Sequence, residues 1–200
     1  MVSSVLLNTA LSVPLSALLS YLMKKRYACA RAASVCAFAL GICLVGIFTA
    51  TGITPMSGLQ LRVTLADIQL LPFGGGLSAL AVGNVLGNLF LLTPYAFLTS
   101  LLFPEHRGLA RQLLLGLLLS AVIETLQLFL SMKPDLTDIL LNTLGCAVGY
   151  GLYRLFHRFY PTLCDKMEVK GTQCILYAYV LSALMLPLSV GVVQMLSYFR

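Results

Sequence analysis

Apolar residues occur along this chain in long blocks separated by short polar stretches, and this pattern predicts its architecture. Each block has about 20 residues, the length that a helix needs to cross the hydrocarbon core of a bilayer. The blocks extend over residues 2–23, 31–53, 79–103, 111–132, 136–156 and 174–199. We therefore expect an all-α fold, a polytopic membrane helical bundle with about six transmembrane helices, formed by residues 1–200 as a single membrane domain.

The stretch 56–78 departs from this pattern, because aliphatic residues alternate there with Gln60, Arg62, Asp67 and Gln69. It is too polar to cross a bilayer and too apolar for an open loop. An interfacial or re-entrant element fits this mixture best. A surface loop is the alternative.

The composition supports the membrane assignment. The chain is 59% hydrophobic and 10% charged, whereas soluble domains carry about 25% charged residues. Ten of the 13 Lys and Arg residues fall in the loops after the first, third and fifth spans. Basic residues favour the cytoplasmic side, so we expect a multi-pass protein with both termini extracytoplasmic. This topology explains the net charge of +6 without a nucleic-acid partner.

The cysteines and histidines do not indicate a metal centre or a hydrolase. Cys29, Cys36 and Cys43 lie seven residues apart without an accompanying histidine, which is typical of small buried residues on one helix face. His106 and His157 are predicted on the cytoplasmic side, so no serine–histidine pair can form on the outer side. We expect no cofactor.

Polar side chains inside the third, fourth and fifth spans are the candidate functional residues. At a rise of about 1.5 Å per residue, they lie roughly 6–13 Å below the outer surface. Because polar groups are costly inside a membrane, we expect them to converge on one pocket that opens to the outer leaflet. The predicted ligand-binding residues of this layer are Asn84, Asn88, Glu124, Gln127 and Asn142, with Asp135 and Asp138 capping it at the turn.

Other interpretations of these polar residues stay open. They can form an interhelical hydrogen-bond network, worth about 0.6–2 kcal/mol per bond, that binds no ligand. Asp135 and Asp138 can also be ordinary acids at a helix start. Alternatively, both join Glu124 as catalytic candidates, or bind a divalent cation or a polar head group.

Small residues and proline predict how the spans pack. Two G-x-x-x-G pairs, Gly83 with Gly87 and Gly145 with Gly149, favour close contact between helices. Pro94 lies inside the third span, where it is expected to interrupt the helical hydrogen bonds.

Several motifs follow one another in a characteristic order. They are Leu71-Pro72-Phe73, N-x-x-x-N at Asn84 and Asn88, E-x-x-Q at Glu124 and Gln127, D-x-x-D-x-x-x-N at Asp135, Asp138 and Asn142, and Gly145 with Gly149. This set resembles the VanZ-like family of bacterial membrane proteins over a core of about residues 55–155. Family members often carry an arginine three residues before the first aspartate, where this chain has Met132 followed by Lys133. The resemblance therefore implies Lys133 as a further ligand-binding residue, a loose substitute for that arginine.

The resemblance implies a protein of the bacterial cell membrane. The named member of the family is associated with reduced susceptibility to teicoplanin and related lipoglycopeptides. The implied partners are membrane lipids and a lipid-linked cell-wall precursor or lipoglycopeptide, with no nucleic acid. Three functions fit: binding such an amphiphile in the outer pocket, acting on a lipid-linked phosphate or peptide through Glu124 with Asp135 and Asp138, or serving as a structural subunit. The sequence leaves open whether the protein is an enzyme.

Overall fold

The described part of the chain is helical. A computed structural model describes residues 14, 21, 30–51, 69, 82–128 and 133–169. The α-helices are α1 (Ala30–Ala50), α2 (Val82–Leu91), α3 (Thr93–Leu102), α4 (Leu109–Leu128), α5 (Leu136–Phe159) and α6 (Pro161–Met167). A short 3-10 helix, Pro104–His106, connects α3 to α4. The predicted all-α class is therefore confirmed for the described residues.

Three segments are long and apolar enough to cross a membrane. They are Val82–Leu102, which comprises α2 and α3, then Leu109–Leu128 and Leu136–Phe159. Within α1, the stretch Phe38–Ile47 is apolar but shorter. These segments support a membrane protein and match the predicted third, fourth and fifth spans.

The remaining topology stays a prediction. The expected first and sixth spans lie outside the described residues, as does all of the 56–78 element except Gln69. The number of six spans and the direction of the termini are therefore not determined by the described helices.

The third span is interrupted where the sequence predicts it. Leu92 separates α2 from α3, and Pro94 lies in the first turn of α3. Proline has no N–H to donate, and its ring would clash with the carbonyl four residues earlier in a continuous helix. The Thr93 hydroxyl lies 3.0 Å from the carbonyl oxygens of both Leu89 and Gly145, so it links the break to α5.

Helix α5 is the centre of the described bundle, because it packs against α2, α3 and α4. Gly145 and Gly149 permit this packing. A Cβ at Gly145 would overlap the Leu89 carbonyl oxygen, and one at Gly149 would overlap that of Thr93. The predicted close contact is thus present along this face of α5.

The other glycine pair behaves differently. A Cβ at Gly83 or Gly87 would meet no described atom within 4 Å, so α2 makes no close contact with a described helix there. Both glycines instead border the cleft described below. Within the described residues, the close contact that this pair would allow is not formed.

Helix α4 has an exposed apolar face and a buried face that is largely polar. Its exposed positions include Leu114, Leu117 and Leu118, which suit contact with lipid. Its buried positions are Gln112, Gly116, Ser120, Ile123 and Glu124. Most of these lie three or four residues apart, so they share the face that is turned towards the other helices.

Candidate functional site

A polar cleft lies among α1, α2, α4 and α5. Its volume is about 430 Å³. The lining residues are Ala50, Thr51, Gly83, Asn84, Gly87, Asn88, Leu91, Glu124, Gln127, Asp138 and Asn142. Six of the eight predicted ligand-binding residues therefore lie on the wall of one cleft, although they belong to three separate spans.

Helical spacing explains how each span contributes two polar side chains. Asn84 and Asn88 lie four residues apart on α2, and Asp138 and Asn142 have the same spacing on α5. Glu124 precedes Gln127 by three residues on α4. Residues at these spacings lie on one helix face, one turn apart.

Asn88 connects α2 to α5 across the cleft. Its Nδ2 donates to Asp138 Oδ1 at 2.5 Å and lies 3.4 Å from Asn84 Oδ1. The Asp138 carboxyl group is thus held by an amide from another span. This contact also orients both asparagines of α2 along the cleft wall.

Glu124 connects α4 to the start of α5. Only 5% of its surface is exposed, and its Oε2 accepts a hydrogen bond from the backbone N–H of Asp135 at 3.0 Å. One turn further along α4, Gln127 Nε2 donates to the Thr51 carbonyl oxygen at 3.2 Å. The second bond ties α4 to the end of α1.

Asn142 is the most deeply buried polar residue of the cleft wall, with 1% exposure. Its Nδ2 donates to Ser120 Oγ at 2.9 Å. Its Oδ1 accepts no hydrogen bond from any described residue. A buried acceptor without a donor costs about 1–3 kcal/mol, so this oxygen is a natural point of contact for a ligand with a hydrogen-bond donor.

Asp135 has a structural position at the start of α5. Its side chain accepts hydrogen bonds from the Thr137 N–H at 2.8 Å and from Gln69 Nε2 at 3.1 Å. The backbone of Gln69 pairs with the same turn, through Pro134 and Leu136. Asp135 therefore caps the helix, as the helix-start interpretation predicts, and fixes Gln69 of the 56–78 element beside it.

The structure does not bring two of the predicted residues to the cleft wall. Asp135 contributes its backbone N–H to Glu124, but it is absent from the lining residues. Lys133 is exposed and is likewise absent from the lining. Within the described residues, no group of three or more His, Cys, Asp or Glu side chains is arranged to hold a metal ion.

Two polar residues of α4 were not singled out from the sequence. Ser120 supports Asn142, and Gln112 is completely buried. The Gln112 Nε2 lies within 3.1 Å of Thr99 Oγ1, Ser100 Oγ and the His106 carbonyl oxygen. The signal was present in the spacing, because residues 112, 116, 120 and 124 recur every four positions.

The opposite end of the described helices forms a second polar region. Arg107 Nε donates to the Ser100 carbonyl oxygen at 3.1 Å, and its guanidinium lies 3.8 Å from Glu168. The same group lies 5.6 Å from the centroid of the Tyr153 ring. The hydrogen bond to Ser100 stabilises the last turn of α3, because the final carbonyl groups of a helix lack helical partners.

His106 also belongs to this end. Partial burial lowers the pKa of its imidazole, and the nearby Arg111 charge lowers it further, whereas Glu105 opposes the shift. The neutral imidazole is therefore favoured in the folded protein. This location, apart from the cleft lining, agrees with a role in the connection between α3 and α4.

Comparisons with known proteins identify the family. No curated protein and no solved structure was found to match the chain. A search against protein families matches residues 37–157 to VanZ/LLP1. The match covers more than half of the 200 residues and begins within α1, before the motifs that suggest the resemblance. The chain is therefore a member of the VanZ/LLP1 family.

Proposed function

We propose that this protein binds the polar head group of an envelope amphiphile in the cleft while the apolar tail of that ligand stays in the lipid. One observation carries the proposal: amides and carboxyl groups from three membrane-length segments line a single cleft of about 430 Å³. A hydrogen-bond network that only joined helices would not require a cavity between them.

The face of α2 that is turned away from the two asparagines is apolar, which agrees with a cleft that lies within the membrane. Val82, Leu86 and Phe90 are 72%, 46% and 53% exposed. They recur every four residues and form an apolar stripe. This stripe is two residues out of step with Asn84 and Asn88, so it lies on the opposite face of α2, where it suits contact with lipid.

The proposed ligand classes are an envelope lipid, a lipid-linked cell-wall precursor and a lipoglycopeptide such as teicoplanin. Binding any of them on the outer side would connect the cleft to the antibiotic susceptibility that the family resemblance implies. The alternative enzyme needs Asp135 together with Glu124 and Asp138. That alternative has less support, because the Asp135 side chain is engaged in capping α5.

A pair of glycine variants tests whether the cleft binds an amphiphile. Gly87 lines the cleft and Gly151 does not, yet at both positions an added Cβ meets no described atom within 4 Å. Gly87→Leu therefore starts from an unobstructed Cβ and adds a side chain at the cleft wall, and Gly151→Leu adds the same side chain elsewhere. Both proteins are purified in mild detergent, and the bound amphiphiles are measured by native mass spectrometry.

We expect wild type and Gly151→Leu to retain bound amphiphile and Gly87→Leu to lose it. Thermal unfolding of both variants checks that the fold is intact. Equal retention by folded Gly87→Leu and Gly151→Leu contradicts binding in the cleft.

The link to resistance needs a separate experiment. Expression of the wild type in a teicoplanin-susceptible bacterium is expected to reduce susceptibility, and Glu124→Gln or Asp138→Asn to abolish that effect. Glu105→Gln is the matched control, because Glu105 is exposed and lies outside the cleft lining. Undiminished resistance in both cleft variants, at equal expression, rules out this site as its cause.

A further inference from the structure

We propose that the cleft selects a head group that carries a primary ammonium. This inference rests on the proposed function, because it names the chemistry that the same cleft recognises. It follows from the distribution of hydrogen-bond donors and acceptors among the lining residues.

The cleft wall offers acceptor oxygens that the described protein groups leave without donors. Asn142 Oδ1 is the clearest, since its residue is 1% exposed and no described donor reaches it. For the two carboxyl groups, the hydrogen bonds recorded among described residues reach only Oε2 of Glu124 and Oδ1 of Asp138. One further oxygen on each carboxyl group therefore remains for a ligand.

The direction of the existing hydrogen bonds agrees with this assignment. A backbone N–H donates to Glu124, and an amide Nδ2 donates to Asp138, so both carboxyl groups act as acceptors towards the protein. Among the described lining residues there is no Lys, Arg or His. A phosphate oriented into the cleft would face two carboxyl groups without a cation on that wall, and such repulsion is strong away from water.

A primary ammonium has the complementary chemistry. It carries three N–H donors and no acceptor, which suits the three oxygens that Glu124, Asp138 and Asn142 supply. Its positive charge also compensates the carboxylate charge, and buried charges in proteins are normally paired in this way. A quaternary ammonium has the charge without the donors, and a hydroxyl-bearing head group has donors without the charge.

These differences define the probes. Phosphatidylethanolamine, phosphatidylcholine and phosphatidylglycerol with identical acyl chains share a phosphate and differ only beyond it. Each is titrated into the delipidated full-length protein, and binding is measured by native mass spectrometry. We expect phosphatidylethanolamine to bind about 10-fold more tightly or better than the other two, the scale of a hydrogen-bonded charge.

Free ethanolamine distinguishes two sources of the ammonium. If it displaces bound phosphatidylethanolamine, the cleft recognises the ammonium without a tail. If only the intact lipid competes, the ammonium is recognised as part of a lipid head group. Displacement by ethanolamine supports the proposal directly, and in the second case the preference for phosphatidylethanolamine over the other two lipids decides it.

A matched pair of aspartate variants tests the site itself. Asp138→Asn removes the charge but keeps an acceptor, and Asp165→Asn makes the same change at an exposed position on α6. We expect Asp138→Asn to reduce the preference for phosphatidylethanolamine about 10-fold and Asp165→Asn to leave it unchanged. An unchanged preference in folded Asp138→Asn overturns the proposal.

The result for Gly87→Leu separates this inference from the proposed function. Equal affinity for the three lipids, lost in Gly87→Leu, overturns ammonium selectivity and leaves amphiphile binding in the cleft intact. Lipid binding that Gly87→Leu does not weaken overturns both. A preference for phosphatidylglycerol or phosphatidylcholine also overturns the assignment of the ammonium.

Discussion

Replacing Gly149 with alanine tests how closely α5 packs against α3. The added Cβ would lie 2.8 Å from Ala96 Cβ and 3.1 Å from Phe97 N, and would also overlap the Thr93 carbonyl oxygen. Real Cβ atoms essentially never approach other heavy atoms closer than 3.0 Å. Backbone atoms cannot rotate away as a side chain can, so α3 and α5 must separate to admit the methyl group.

The expected loss of stability follows from a comparison within α5. Overpacking of a closely packed site costs about 1–3 kcal/mol, while alanine in place of glycine returns about 1 kcal/mol of helix propensity. Gly151→Ala is the control, because its Cβ would meet no described atom within 4 Å. The propensity gain is common to both variants, so Gly149→Ala should be less stable than Gly151→Ala by about 1–3 kcal/mol.

The measurement is the free energy of unfolding, obtained by titrating the purified protein in mixed micelles with sodium dodecyl sulfate. Far-ultraviolet circular dichroism follows the loss of helix. Gly145→Ala should behave like Gly149→Ala, because its Cβ would overlap the Leu89 carbonyl oxygen. Equal stability of Gly149→Ala and Gly151→Ala would refute the close packing of α3 and α5.

Two further predictions concern the ends of helices. Asp135→Ala should lower the free energy of unfolding by about 0.5–2 kcal/mol through loss of the cap on α5, whereas Asp135→Asn, also a good cap, should retain most of it. Equal losses in both variants would show that the charge of Asp135 matters more than its cap. Burial lowers the pKa of His106 below its ordinary value of 6.5. The neutral imidazole therefore contributes to the free energy of unfolding above that pH, and this contribution is lost as the pH falls through the pKa of the folded state. The free energy of unfolding should therefore fall less for His106→Asn than for wild type between pH 7 and pH 5. Equal decreases in both proteins would show that protonation of His106 does not destabilise the fold.

The three membrane-length segments could be predicted from the sequence because their signal is local. A helix satisfies its own backbone hydrogen bonds, so a sufficiently long apolar block can cross the membrane whatever lies beside it. The break before α3 was predictable for the same reason, since Pro94 removes a hydrogen bond within its own helix. The short helix α6 was not predicted, although Pro161 at its first position is a known start signal.

The candidate site was only partly predictable. Burial depth and helical spacing placed Asn88, Glu124 and Asn142 in one layer of the membrane, and the structure brings them to one cleft. The same reasoning placed Asp135 beside them, where the structure has a helix cap. The family resemblance added Lys133, which the structure shows to be exposed. Depth alone does not specify the direction of a side chain, and residues in a turn lack the periodicity that would indicate it.

The two G-x-x-x-G pairs show where local pattern ends and tertiary structure begins. The sequence by itself determined that α2 and α5 each expose backbone at glycines four residues apart. Only the packing decided that Gly145 and Gly149 meet the backbone of α2 and α3, whereas Gly83 and Gly87 border the cleft. The physical reason is that glycine permits a close approach without supplying the partner, and the partner depends on how all the helices pack together.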